Sequence, residues 1–277
     1  MKTEKTRNLY LLAIAFVILS IIKHIEFIYI RTDQTVIAEN IFTKIFCIIA
    51  VLVLLFIEKK KLGDIGFKKQ NILKYMAYGL GLGAFTFAIS YGIEMLILSA
   101  QGKAPGLAVY ITNFGLTGAT NQNSLSFMAV IICIAGNIVN VLAEEGFFRG
   151  IMLKNVSESF GFKTGNFVQA FLFGEWHIVT VVLLLHDGEI NIPTAIVFAI
   201  GYVVLAGILA LEWGTCFSMT GVLWVGIFEH FFNNCIGNML HVVSSTGVDE
   251  MQIVRIVFSN LLSLGIVLAI NRKKKKN

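Results

Sequence analysis

Eight stretches of the chain, near residues 9–30, 41–57, 75–100, 126–149, 166–185, 193–211, 217–240 and 252–271, are almost continuously apolar. A helix in a soluble protein needs a polar face, and these runs have none. At 1.5 Å per residue, about 20 apolar residues cover the roughly 30 Å of a bilayer's hydrocarbon. Inside lipid the backbone must satisfy its own hydrogen bonds, which for runs of this length means helices. Charged residues make up 14% of the chain, against about 25% in an average soluble domain. The predicted fold is therefore all-α: a polytopic membrane helical bundle of about eight transmembrane helices, forming a single membrane domain over 1–277. The 25 glycines and two prolines fit long helices whose backbones approach closely. The run at 41–57 is short, and Lys44 near its start is expected to snorkel. Lys23, His24 and Glu26 interrupt the first run, so its outer end is expected to be interfacial. That run continues to Ile30 without a small-x-small cleavage site, so a retained first helix is predicted rather than a signal peptide.

Charge sets the orientation. Seventeen of the 22 Lys and Arg fall in segments on one side of the expected membrane, against three on the other. Lys/Arg-rich segments stay inside, so both termini are predicted to be cytoplasmic. The net charge of +5 is spread in short clusters between apolar runs, the pattern of membrane topology and not of a nucleic-acid surface. Lys273 to Lys276 serve as a topology anchor, with contact to anionic lipid secondary. The outer connection at 101–125, rich in Gly, Thr and Asn, is read as a loop. Cys47, Cys133, Cys216 and Cys235 lie in apolar segments without paired spacing, so neither disulfides nor a Cys-based zinc site is expected.

Against this background a few polar residues stand out. A charge at mid-membrane costs on the order of 3 kcal/mol and is usually kept where it acts in a cavity. The fourth span ends Glu144-Glu145-Gly146-Phe147-Phe148-Arg149, the fifth carries Phe173-Gly174-Glu175-Trp176-His177, and the seventh carries Glu229-His230-Phe231-Phe232-Asn233-Asn234. Glu145 and Arg149 are four apart and share a face as an ion pair. Glu144, about 100° round the helix, is left to face a cavity. His230 and Asn234 share a face in the same way, as do Phe173 and His177, so that Phe173 walls the same pocket. Counted from the cytoplasmic ends of their spans, Glu144, His177 and His230 lie about 15, 18 and 20 Å deep, with Asn234 about 6 Å further. One such His is commonly an interhelical hydrogen-bonder, and one Glu-x-x-x-Arg a structural ion pair. Three motifs at one depth favour a shared site instead. Glu175 and Glu229 are secondary, while Glu26, His24 and Glu94 are expected to be interfacial or structural. His186 and His241, at the outer ends, receive no chemistry.

Glu-Glu-x-x-x-Arg, Phe-x-x-x-His and His-x-x-x-Asn, in that order on separate spans, resemble the CAAX-protease and bacteriocin-processing (CPBP, or Abi) family of intramembrane endopeptidases. The resemblance covers the core at about 126–240; residues 1–125 are generic accessory helices and loop. It implies hydrolysis of a peptide bond in a membrane-associated protein or peptide. Glu144 and His177 would activate water, and His230 and Asn234 would donate to the oxyanion, with Glu145, Arg149 and Phe173 in support. Bacterial relatives suggest bacteriocin or pheromone processing, immunity or envelope regulation, in a bacterial cytoplasmic membrane.

Zinc is the competing cofactor reading, with Glu144, His177 and His230 as its ligands. The His-Glu-x-x-His of helical zinc proteases is missing from the sequence, so no cofactor is favoured. Two other classes compete with the peptidase: a transporter using the buried Glu/His/Asn set as a proton or ion path, and a non-catalytic membrane scaffold. Neither an inverted repeat nor a Pro-broken helix pair supports the transporter. The expected partners are the lipid bilayer and a membrane-associated substrate, with no nucleic acid.

Overall fold

The computed structural model describes residues 2–35, 40–112, 127–245 and 247–276. Ten α-helices account for nearly all of it: α1 (Lys2–Ile25), α2 (Ile41–Ile57), α3 (Ile72–Ala100), α4 (Phe127–Glu144), α5 (Leu153–Phe160), α6 (Phe162–Glu175), α7 (Ile178–His186), α8 (Ile192–Thr220), α9 (Trp224–Met239) and α10 (Gln252–Lys276). A π-helical segment, Glu145–Met152, joins α4 to α5, so 127–160 forms one continuous rod. The architecture is the all-α polytopic membrane bundle that the apolar runs predict.

Six helices among the described residues are long and apolar enough to cross a membrane: Glu4–Ile30, Ile72–Ala100, Phe127–Phe160, Phe162–His186, Ile192–Thr220 and Gln252–Lys276. The expected spans at 41–57 and 217–240 correspond to the shorter helices α2 and α9, of 17 and 16 residues. The break expected near 212–216 falls later. The eighth helix runs on to Thr220 and stops at Gly221, whose φ of 67° no side-chain-bearing residue adopts cheaply. Glu212 therefore does not mark a connection. It is fully buried and accepts a hydrogen bond from Ser263 of α10.

The ninth helix lies at the centre, packed against α3, α4 and α8, while α6 lies along α8. Glycines make these approaches close. A Cβ at Gly79 of α3 would stand 2.4 Å from the Val225 carbonyl oxygen, and one at Gly174 of α6 would stand 2.5 Å from that of Val203. In α2, flanked by α1 and α4, Lys44 is buried instead of snorkelling, because protein covers its route to the surface. Glu26 is likewise fully buried, not interfacial. Its carboxylate accepts from the Phe42 and Thr43 backbone amides and so caps the open N-terminus of α2.

The lysine-rich segments gather at one end of the bundle. Lys5 donates to the Glu158 carbonyl, Lys60 pairs with Glu58, Lys154 reaches the Asp64 carbonyl and Lys274 that of Met219. At the opposite end the segment read as loop contains a strand, β1 (Gly106–Val109), paired antiparallel with β2 (Leu240–Val243), Gly106 opposite Val243. Leu107 and Val109, with Tyr110 and Ile111 after them, favour extended backbone. Beyond residue 112 the expected loop lies outside the described residues. Beside the strands, Arg255 joins Glu94 at 2.5 Å to Asp249 at 2.5 Å, and His241 Nδ1 meets Asp249 at 3.2 Å. Burial pushes the Asp249 carboxyl up, but the hydrogen bonds from His241 and Arg255 outweigh it and hold the group below its ordinary value.

Candidate active site

Three helix ends and one helix middle converge beside α9. Glu144 closes α4, Glu145 and Arg149 stand in the π-helical segment, Phe173 and Trp176 lie at the end of α6, and His230 lies on α9. His177 occupies the break between α6 and α7, where the long fifth span is interrupted without proline.

Glu144 is held by two donors: Trp176 Nε1 reaches Oε1 at 3.0 Å, and Asn140 Nδ2, one turn back on α4, reaches Oε2 at 3.3 Å. His230 Nε2 stands 3.7 Å from the same Oε2. The other face of the imidazole meets the neighbouring carboxylate, with Nδ1 3.1 Å from Glu145 Oε1. His230 thus bridges the two glutamates, and both belong to one cluster.

Arg149 is fully buried, and its NH1 lies 3.5 Å from Glu145 Oε1. Its guanidinium is flanked by aromatic faces, 4.0 Å from the Phe173 ring centre and 4.8 Å from that of Trp213. Cation–π attraction, strong where water is excluded, supplements the ion pair. Trp213 also stacks on His230 at 4.0 Å between ring centres and donates its indole N–H to Glu229. Phe173 stands edge-on between the two histidine rings, 4.7 Å from His177 and 6.1 Å from His230.

His177 is partly exposed, and its Nδ1 lies 2.7 Å from the Phe173 carbonyl oxygen. A carbonyl only accepts, so Nδ1 carries the proton and Nε2 of a neutral ring is left as an acceptor. Asn234, one turn beyond His230, is half-buried, and its amide has no hydrogen-bond partner among the described residues. Asn233 takes the buried position and bonds Asn260. Glu175 is exposed and stands apart from the cluster.

The structure thus brings together Glu144, Glu145, Arg149, Phe173, His177 and His230, and leaves Asn234 a turn away, its amide without a hydrogen-bond partner among the described residues. Residues that sequence reasoning passed over are Asn140, Trp176 and Trp213. Asn140 carries a weak signal, four residues before Glu144 on one helical face. Trp176 adjoins His177, and only three tryptophans occur in the chain. Trp213 carried no signal, since the expected connection fell across it.

A zinc ion requires three or more donors aimed at one point. Among the described residues no group of three His, Cys, Asp or Glu is so arranged. The Nδ1 contacts of His177 and His230 leave each ring's Nε2 as the nitrogen a metal would use, so the test is whether those atoms and a carboxylate point at one place. The donor set as placed does not form a zinc cage.

Residues 126–236 match the family model described as type II CAAX prenyl endopeptidase Rce1-like. The match spans every residue of the cluster. No curated protein matches the chain significantly.

Proposed function

We propose that this chain, whose residues 126–236 carry the match to a prenyl endopeptidase family, cleaves a peptide bond of a membrane-associated protein or peptide with water activated by Glu144. The observation that carries the mechanism is a pair of oriented bases. Glu144 is fixed by Trp176 and Asn140, and the Nδ1 contact of His177 leaves its Nε2 free to accept. A general base must be held within reach of the proton it removes.

In this reading water bound between Glu144 and His177 Nε2 attacks the scissile carbonyl carbon, and its proton passes to Glu144. The tetrahedral oxyanion is met by His230 Nε2 and the free amide of Asn234. When the intermediate collapses, the C–N bond breaks and the proton on Glu144 goes to the leaving amine. An ionised Glu145 takes the Nδ1 proton of His230 as a hydrogen bond, so Nε2 donates only from a doubly protonated ring. Arg149 and Phe173 hold Glu145 and the histidines in place. The activity is glutamate-dependent in this reading, with zinc as the alternative. The enzyme sits in a bacterial cytoplasmic membrane with its lysine-rich end inside, processing a small peptide or an envelope regulator.

The test is cleavage of a membrane-presented peptide by purified protein, comparing wild type with Glu144→Ala and His177→Ala. Both variants are expected to lose activity, and Asn234→Ala to lose about 10²–10³-fold in kcat. Undiminished cleavage in the first two sinks the mechanism. Chelators are expected to leave the rate unchanged; loss restored by zinc overturns glutamate dependence. Proton flux into liposomes, lost with the same variants, would favour the transporter.

A further inference from the structure

Lys23 lies on α1, outside the matched segment, yet its side chain is buried in the bundle. A lysine costs several kcal/mol within lipid, so its contacts bear on why it stands there. Its amino group donates to the Trp176 carbonyl oxygen at 2.9 Å. The same Nζ lies 4.1 Å from the centre of a Trp176 ring.

The carbonyl is one that the helix break sets free. In an unbroken helix the amide of Thr180 would bond Trp176 O; here it bonds His177 O at 3.1 Å. A buried carbonyl without a partner is costly, and Lys23 supplies the donor. The same group holds the indole by its face, while Phe148 and Phe16 pack around the ring at 5.7 and 6.3 Å. From that fixed ring Nε1 points at Glu144 Oε1, and the next residue in the chain is His177. One side chain from α1 thus ties down both the backbone and the ring of the residue that connects the two proposed bases.

We propose that Lys23 is a positioning residue that clamps the α6–α7 break and, through Trp176, sets the orientation of Glu144. The proposal rests on the peptidase reading, and it makes α1 part of the catalytic unit.

The test is a double-mutant cycle of Lys23→Met and Trp176→Phe, with kcat and KM measured on the membrane-presented peptide. The 15N–1H resonance of the Trp176 indole is followed in detergent and assigned by its absence in Trp176→Phe. Lys23→Met is expected to lower kcat about tenfold or more with KM within about twofold and to shift the indole resonance. The double variant is expected to lose less than the product of the two single losses, because Lys23 acts on Glu144 through the Trp176 indole. Lys23→Arg, which keeps the charge and a donor, is expected to restore most of kcat. Losses that multiply in the double variant, or a loss confined to KM, overturn the proposal. Should Lys23→Met fail to fold, Lys23→Gln, which can still donate to the carbonyl but lacks the cation over the ring, is expected to lower kcat part of the way and to shift the indole resonance; neither change there overturns it. An indole resonance indifferent to Lys23 sinks the clamp whether or not peptide is cleaved. A wild-type protein that cleaves nothing sinks the peptidase reading.

Discussion

Gly226 stands one turn before His230 on α9, and the Glu145 carboxylate lies against both. A Cβ at 226 would come within 3.1 Å of Glu145 Oε2 and 3.2 Å of Trp213 Cβ. Ordinary contacts between carbon atoms are about 3.5–4.0 Å, so both contacts must lengthen by a few tenths of an ångström, and the group freest to move takes most of the displacement. Trp213 is pinned by its stack on His230 and its bond to Glu229, whereas Glu145 Oε2 has no hydrogen-bond partner among the described residues. The carboxylate therefore yields. Residues 226 and 230 share a face of α9, so moving it off one moves it off the other. A retreat of about 0.4 Å stretches the 3.1 Å bond to His230 Nδ1 to near 3.5 Å, where little of it survives. A hydrogen bond to a charged group contributes about 1.5–3 kcal/mol. Losing most of it in the reaction step corresponds to about 1–2 kcal/mol, or a kcat reduced about 5- to 30-fold by Gly226→Ala. Stability should change little, since the helix gain of about 0.5–1 kcal/mol for alanine offsets much of the crowding. The assay pairs steady-state cleavage with thermal melting in detergent. A folded Gly226→Ala enzyme with wild-type kcat would refute the idea that the Glu145–His230 contact matters for turnover.

Gly79→Ala should behave in the opposite way, because its Cβ would meet the Val225 carbonyl at 2.4 Å and backbone cannot yield as a side chain does. A loss of about 1–3 kcal/mol, seen as a lower melting temperature, is expected, and an unchanged melting temperature would contradict the close α3–α9 packing. At the opposite end of the bundle, the depressed Asp249 carboxyl stabilises the fold above its unfolded value, near pH 4. That contribution is lost as pH falls through its folded value. Melting temperature should therefore drop on acidification below about pH 4, more steeply in wild type than in Asp249→Asn; equal slopes would exclude the group.

The helical class and the main polar motifs were legible because lipid leaves so few alternatives: an apolar run must be a helix, and a buried charge must have a reason. Glu145–Arg149 pair at the four-residue spacing read from the sequence. The partners were not legible, because they are tertiary. Nothing local says that His230 would sit between both glutamates, that Trp213 would stack on it, or that Glu26 would cap a helix sixteen residues on. The misplaced break near residue 212 has a physical source. Glu212 is the one charged residue within α8, and the hydroxyl that receives it there, Ser263, lies on α10, far away in the chain. The strand at 106–109 was missed because its partner is distant in the chain, Gly106 lying opposite Val243.

The π-helical turns at Glu145–Met152 have a further consequence. Each residue of a π turn sweeps a smaller angle than one in an α-helix, because the repeat is longer than 3.6 residues. The segment therefore works as a phase shifter in a single rod. The half carrying Glu144 and the half carrying Lys154 face directions that one uniform helix of this length would not provide. The reach of Lys154 to the Asp64 carbonyl at the lysine-rich end and the aim of Glu144 at the histidines are therefore set on one rod by the turns between them.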